Sequence, residues 1–114
     1  IHGEPGTHRE KMTSANEFTE KLFEKVYAES DVQKGDRFAV LVNGLGETTL
    51  IELFIINNHL QDLLKDKGVE VAKTLVGNYM TSLDMGGFSI TLLKLDKEME
   101  ELLNAEEDTI AFWF

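Results

Sequence analysis

The stretch FAVLVNGLGETTLIELFIINNHLQDLLKDKG, residues 38–68, decides the fold of this chain. Its first eight residues are almost continuously apolar and rich in β-branched side chains, which predicts a strand buried inside a sheet. Thr49 and Glu52 have the spacing of a capping box, which predicts a helix that ends at Gly68. A buried strand followed by a helix is typical of a crossover unit. The apolar stripe of this helix is predicted to comprise Leu50, Leu53, Phe54, Leu60 and Leu64.

Strands on either side of this stretch are predicted to complete a mixed sheet. Residues 69–80 indicate a second strand and residues 88–95 a third. The first two strands should be parallel, whereas the connection at 78–87 is short enough to return the third strand antiparallel. The end of the chain, TIAFWF at 109–114, predicts an edge strand. The predicted fold class is therefore α/β, with a mixed β-sheet packed with helices.

Two further helices are indicated by capping residues. Ser14 and Glu17 have the capping-box spacing, which predicts a helix over residues 15–29. Asp96 can cap a short helix that extends to about Leu103. The apolar face of the longer helix is predicted to consist of Ala15, Phe18, Leu22 and Val26.

Length and charge limit the classes of function. The 114 residues provide for one hydrophobic core, and the absence of cysteine excludes a disulfide scaffold or a zinc–thiolate site. The net charge of −10 repels phosphate backbones and anionic lipids, so we expect no nucleic-acid or membrane partner. The apolar stretches are shorter than the ~20 residues of a membrane span, which makes a cytoplasmic localisation the expectation.

Histidines and carboxylates near the beginning of the chain are candidates for chemistry. His2, Glu4, His8 and Glu10 alternate nitrogen and oxygen ligands along the irregular segment 1–12. This pattern indicates either a divalent-metal site or a solvated polar loop. The third histidine, His59, shares the polar face of its predicted helix with two aspartates and is expected to be solvated.

The glycine-containing turn NGLGETT at 43–49 has two interpretations. Backbone N–H groups at the start of a helix attract anions, which makes the turn a candidate phosphate site. The turn matches neither a dinucleotide fingerprint nor a Walker loop, because Thr49 stands where a third glycine is needed and Glu47 adds a negative charge. The other interpretation is a tight turn with close backbone packing.

The loop TSLDMGG at 81–87 also carries polar groups. Ser82 and Asp84 could bond ligand hydroxyls, or they could bond the backbone of their own loop, as these residue types do in turns. Leu83 and Met85 are predicted to fill gaps in the core.

Four strings of this sequence, taken together, resemble one protein family. They are IHGEPG at 1–6, LVNGLG at 41–46, YMTSLDM at 79–85 and GFSITLL at 87–93. In order and spacing they are similar to the dihydroxyacetone kinase K subunit, over nearly the whole chain and over the C-terminal third of that family. The resemblance implies that residues 1–114 are a single C-terminal domain portion of a larger two-domain subunit. Residues 1–12 would then be an active-site loop and residues 13–114 an α/β core.

The resemblance implies a subunit that binds dihydroxyacetone. The histidine of the family's His-Gly-Glu motif bonds the substrate carbonyl carbon as a covalent hemiaminal, and that position is His2 here. His2 is thus the candidate catalytic and substrate-binding residue, and the resemblance implies no metal ligand. A neutral imidazole is nucleophilic near pH 7 and a ketone carbonyl is electrophilic, so the residue type suits the chemistry. No catalytic role is implied for the turn at 43–46 or the loop at 81–87, which are expected to be scaffold.

The resemblance also implies partners. Phosphate would come from ATP or ADP with Mg²⁺ on a separate L subunit or L-like domain, in a phosphotransferase system or an ATP-dependent equivalent. No cofactor is expected in this chain, which alone should be inactive because the other active-site groups belong to the N-terminal portion of the subunit. A homodimer is expected. The alternatives are a dihydroxyacetone-sensing paralogue that activates a transcription regulator, and an acidic interaction module in which His2 is incidental.

Overall fold

The most apolar strand of the chain lies at the centre of a three-stranded sheet. The computed structural model describes residues 5–83 and 85–112, which run α1 (Ala15–Ala28), β1 (Arg37–Gly44), α2 (Leu50–Asp66), β2 (Glu70–Gly77), β3 (Phe88–Leu95) and α3 (Lys97–Leu103). The strand order is β2-β1-β3, with β2 parallel and β3 antiparallel to β1. The predicted α/β class, the mixed sheet and the position of β1 inside it are confirmed.

One face of the sheet carries the core. Phe38, Val40 and Val42 alternate along β1, so their side chains point to the same face, where all three are buried. The helices α1 and α2 cover this face. The core cluster consists of Phe23, Phe38, Val40, Val42, Leu53, Ile56, Leu60, Leu64, Val69 and Ile90.

The helix α2 begins and ends where its sequence predicts. Thr49 Oγ1 accepts a hydrogen bond from the Glu52 N–H at 3.3 Å, and the Glu52 carboxylate accepts one from the Thr49 N–H at 2.8 Å. This is a complete capping box. At the other end Gly68 adopts a φ of 73°, a left-handed conformation in which the chain turns from α2 into β2. Among residues 5–83 and 85–112, no helix has the length and hydropathy of a membrane span.

The apolar stripe predicted for α2 is only partly correct. Leu53, Leu60 and Leu64 are buried, but Leu50 and Phe54 are about half exposed. The buried side is completed by Ile56, which lies three residues from Leu53 and four from Leu60. Because apolar side chains lie on most sides of the first half of α2, the sequence does not show which side faces the core.

The buried face of α1 is also rotated from the prediction. Ala15, Phe18, Leu22 and Val26 are half-buried, whereas the fully buried residues are Thr19 and Phe23. Thr19 is accommodated in the core because its hydroxyl donates to the Ala15 carbonyl at 2.7 Å. Ser14 caps the helix as predicted, since its hydroxyl accepts from the Glu17 N–H at 3.3 Å.

The helix α3 packs on the opposite face of the sheet. Arg37 points away from the core, pairs with Glu70 and donates two hydrogen bonds of 2.8 Å to Glu100 on α3. The hydrogen bonds to Glu100 are the largest cause that raises the pKa of Arg37, and the pairing with Glu70 is the next. In turn, the guanidinium lowers the pKa of Glu100. Asp96 caps α3 as predicted, because its carboxylate accepts from the Met99 N–H at 2.8 Å.

The edge strand predicted at 109–114 is wrong for residues 109–112, the part that the structure describes. The Thr109 N–H and hydroxyl both donate to the Phe112 carbonyl, at 2.8 and 3.0 Å, and the Phe112 N–H donates back to Thr109 Oγ1 at 3.0 Å. These bonds close a local turn and use groups that a strand would offer to a neighbour. The Phe112 ring instead stacks on the Tyr79 ring, with centroids 4.9 Å apart.

Candidate functional site

The predicted catalytic residue, His2, lies outside the described residues, as does Glu4. The described chain begins at Pro5, and the segment from there to Ser14 leads into α1 without forming a helix or strand. The candidate site is therefore built from this lead-in segment, residues 5–14, and from the loops at the carboxyl ends of β1 and β2.

The lead-in segment is held to α1 by charged side chains. Glu10 Oε2 accepts a hydrogen bond from Lys21 Nζ at 2.6 Å, and Glu10 Oε1 lies 2.8 Å from His8 Nε2. Lys25 Nζ lies 3.2 Å from the other ring nitrogen of His8. The hydrogen bond from Lys21 is the largest cause that lowers the pKa of Glu10, and the same contact raises the pKa of Lys21.

These contacts bear on the metal interpretation of the segment. His8 and Glu10 do come together, but the Lys21 ammonium occupies the carboxylate where a divalent cation would have to bind. Within residues 5–83 and 85–112, no group of three His, Cys, Asp or Glu side chains is arranged to hold a metal. The geometry of the described residues thus favours an ion-paired surface segment.

Two loops meet at the carboxyl ends of the parallel strands, residues 45–49 after β1 and residues 78–87 after β2. We call them the paired loops. The second loop crosses the end of β1, because β2 and β3 lie at opposite edges of the sheet. Ligands of open α/β sheets bind at this edge, which makes the paired loops the natural place to look for a site.

Asn43, at the end of β1, joins the paired loops to the sheet. Its side chain is buried, and its Oδ1 accepts hydrogen bonds from the N–H groups of Tyr79 and Met80, both at 2.9 Å. Its Nδ2 donates to the Met80 carbonyl at 2.8 Å and to the Ser89 hydroxyl at 3.4 Å. One amide thus fixes the start of the second loop. The sequence indicated the tight turn but not this role, since the partners are 36 or more positions away.

Thr48 makes a second link between the paired loops. Its hydroxyl donates to the Gly87 carbonyl at 2.8 Å and accepts from the Gly87 N–H at 2.9 Å. The Gly87 carbonyl also accepts from the Leu45 N–H at 3.1 Å. The local sequence marks Thr49 as a helix cap but gives no signal for Thr48, whose partner is 39 positions away, so this link was not predicted.

Close packing of the paired loops disfavours a phosphate site. Two backbone N–H groups of the turn, those of Leu45 and Glu47, donate to the carbonyls of Gly87 and Met85 and are not available to an anion. A methyl group on Gly46, whose φ is 131°, would lie 2.8 Å from the Ser82 carbonyl. The loops are packed in direct contact, so the interpretation as a tight turn with close backbone packing is confirmed.

The two apolar side chains predicted to plug the core from the second loop are exposed instead. Leu83 and Met85 were expected in the core, but Leu83 is 94% exposed and Met85 39% exposed. The loop is held by its backbone, through bonds such as that from the Ser82 N–H to the Leu45 carbonyl, so its apolar side chains are not needed for packing. Asp84 lies outside the described residues.

A shallow groove runs between the start of α1 and the first half of α2. It is lined by Ile51, Phe54 and Ile55, with His59 at one end. His59 was expected to be solvated, but its side chain is only 21% exposed because α1 packs beside it. Its Nε2 lies 2.8 Å from a carboxylate oxygen of Glu20 on α1.

Comparisons with known proteins place this architecture in a family. The model of the Dak1 domain matches residues 1–111. The chain is 48% identical over 113 residues to a Listeria innocua protein, PTS-dependent dihydroxyacetone kinase 1, dihydroxyacetone-binding subunit DhaK, covering 98% of this chain and 34% of that protein. It is 40% identical over 112 residues to the D-erythrulose kinase of Mycolicibacterium smegmatis, covering 98% of this chain and 19% of that protein.

A solved structure agrees with the sequence comparisons. The dihydroxyacetone kinase operon co-activator Dha-DhaQ superposes with a TM-score of 0.85 at 38% identity, over 93% of this chain and 34% of that chain. The chain thus spans about a third of the length of the DhaK and DhaQ proteins that it matches. From the match over nearly all of its residues, the chain belongs to the Dak1 domain family.

Proposed function

We propose that the complete protein containing this chain is a dihydroxyacetone-binding subunit of a dihydroxyacetone kinase. The observation that carries the proposal is the 48% identity, over 98% of this chain, to a relative that bears this name. The N-terminal segment that follows His2, ordered by ion pairs on α1, is consistent with an active-site loop on a stable scaffold.

In the proposed reaction, His2 holds the substrate covalently. A ring nitrogen of the neutral imidazole attacks the carbonyl carbon of dihydroxyacetone, and the π-electron pair moves to the carbonyl oxygen, which takes up a proton. The other ring nitrogen gives up its proton, so the step is a net addition with no leaving group. The product is a hemiaminal that fixes one free hydroxyl for attack on a phosphate.

A covalent anchor also provides selectivity. Dihydroxyacetone is too small to gain much affinity from contacts alone, so one covalent bond supplies what packing cannot. Glycerol has no carbonyl group for the histidine to attack, and the proposed site therefore discriminates against this triol by chemistry and not by shape.

The phosphate donor is proposed to lie on a partner. The backbone N–H groups of Leu45 and Glu47 in the glycine turn are already bonded, and the net charge of −10 disfavours a bound nucleotide. We therefore assign ATP or ADP with Mg²⁺ to an L subunit or L-like domain, and the remaining active-site groups to the N-terminal portion of the subunit. By itself this chain should transfer no phosphate. The homodimer and the cytoplasmic localisation stay predictions.

The proposal is tested by replacing His2 in the complete protein. His2→Ala is expected to weaken dihydroxyacetone binding at least about tenfold in calorimetry, because the covalent bond is lost. His59→Ala is the matched control and should bind as the wild type, since its side chain contacts α1. Unchanged affinity in His2→Ala would refute the assignment.

A sensing paralogue is the second candidate, and one observation favours it. The superposed structure with a TM-score of 0.85 is named as an operon co-activator. Such a protein would bind the triose and activate a transcription regulator without phosphate transfer. The complete protein, mixed with an L subunit and a phosphate donor, should form dihydroxyacetone phosphate if it is the kinase subunit. Binding without product would identify the sensor.

A further inference from the structure

We propose that Asn43 is a protected deamidation site, at which folding blocks a chemical conversion whose product destabilises the fold. Asn43 and Gly44 form the only Asn-Gly dipeptide of the sequence. Among asparagine-containing dipeptides this one deamidates most readily, because glycine has no side chain to hinder attack by its own backbone nitrogen. The site therefore carries a modification chemistry that is independent of any substrate.

The reaction needs only the chain and water. The backbone nitrogen of Gly44 releases its proton and attacks the side-chain carbonyl carbon of Asn43. The new C–N bond closes a five-membered succinimide ring, the bond from that carbon to the side-chain nitrogen breaks, and this nitrogen takes up a proton and leaves as ammonia. Water then opens the ring at either of its two carbonyl groups, which yields aspartate or isoaspartate at position 43.

The fold requires both residues of this reactive dipeptide. Asn43 is required for the hydrogen bonds that fix the start of the second loop. Gly44 is required for space, because a Cβ at this position would collide with the side chain of Asn78 and lie 2.9 Å from Leu53 Cδ1. The chemical liability thus follows from the packing at the end of β1.

The folded structure blocks ring closure at Asn43. The succinimide ring needs the Asn43 Cβ and the Gly44 nitrogen nearly eclipsed about the Cα–C bond, whereas an extended strand holds them far apart. Rotation about this bond would disrupt β1, which is paired with a strand on each side. The side-chain amide is also held by its hydrogen bonds and is only 2% exposed to water. Conversion therefore requires this part of the sheet to open.

Neither product fits the place that Asn43 occupies. In aspartate a carboxylate oxygen would replace Nδ2, which donates to the Met80 carbonyl at 2.8 Å, so two acceptors would face each other in a buried site. In isoaspartate the main chain runs through the former side chain. This adds one carbon atom to β1 and shifts Gly44 out of register with Phe88. Conversion would thus weaken the link between the paired loops and the sheet.

The first test compares the conversion of folded and unfolded protein. The complete protein is kept in mildly alkaline buffer, with and without denaturing guanidinium chloride, and the peptide that contains Asn43 is followed by mass spectrometry. Conversion should be at least about a hundredfold slower in the folded protein, because only opened molecules can react. Asn104, which is exposed and followed by Ala105, is the internal control and should convert slowly in both states. Equal rates at Asn43 in the two states would overturn the proposed protection.

The second test concerns the product. Asn43→Asp supplies the aspartate form and should lower the ratio of folded to unfolded protein at least about tenfold in urea denaturation, and a variant that fails to fold is the extreme of the same result. Asn58→Asp, at an exposed position of α2, is the matched control and should change this ratio less than about threefold. Wild-type stability of Asn43→Asp would overturn the proposed effect of conversion. Neither test involves dihydroxyacetone, so the proposed function stands or falls separately.

Discussion

Asn43 shows how much of the fold depends on one side chain. Its buried side-chain amide accepts hydrogen bonds from two backbone N–H groups and donates hydrogen bonds to a carbonyl and a hydroxyl. A buried amide with every hydrogen-bonding group satisfied stabilises one arrangement of the chain around it. The paired loops therefore keep their geometry although their own apolar side chains are exposed.

Asn43→Ala should destabilise the complete protein by about 3 kcal/mol, because the backbone groups of Tyr79 and Met80 lose their buried partner. Urea denaturation measures this change. Asn58→Ala, at an exposed position of α2, is the matched control and should cost less than about 0.5 kcal/mol. Equal effects of the two substitutions would contradict the role assigned to Asn43.

At the scale of the elements, local signals explain the helices well. The caps at Thr49 and Asp96 and the stop at Gly68 act within four residues, so the sequence alone predicts where α2 and α3 begin and where α2 ends. The predicted buried faces of α1 and α2 were less accurate, because the buried face of a helix depends on which elements pack against it. Residues 109–112 were misassigned as part of a strand, since Thr109 provides a local alternative for the backbone hydrogen bonds.

Thr49→Ala tests the capping box of α2. The substitution removes the acceptor for the Glu52 N–H, so it should lower the free energy of unfolding by about 1 kcal/mol in urea denaturation. Thr81→Ala changes an exposed threonine of the second loop and should have a smaller effect. An unchanged free energy of unfolding in Thr49→Ala would show that tertiary packing alone determines where α2 starts.

The same box predicts a pH dependence. The Thr49 N–H, followed by its hydroxyl, lowers the pKa of Glu52. A lowered pKa in the folded state means that the carboxylate stabilises the fold above its unfolded pKa, and that this contribution is lost as the pH falls through the folded value. The cost of Glu52→Ala should therefore shrink between about pH 7 and about pH 3. A cost that stays constant over this range would contradict the capping role.

At the scale of the whole molecule, the sequence predicts the class of the sheet but not its order. The continuous apolar run of β1 indicates a central strand, whereas the placement of β3 beside β1 depends on contacts between residues far apart in the chain, such as Asn43 with Ser89. The candidate site divides in the same way. His2 was assigned through a resemblance and lies outside the described residues, while the ion pair between Glu10 and Lys21 emerges only from the structure.

The central claim is a covalent bond between His2 and dihydroxyacetone, and carbon-13 NMR tests it most directly. The complete protein is mixed with dihydroxyacetone labelled at the carbonyl carbon. We predict a resonance of a tetrahedral carbon, distinct from that of the free hydrate, which is present with the wild type and absent with His2→Ala. Bound dihydroxyacetone that keeps its carbonyl resonance, or a tetrahedral signal that persists in His2→Ala, would contradict the account.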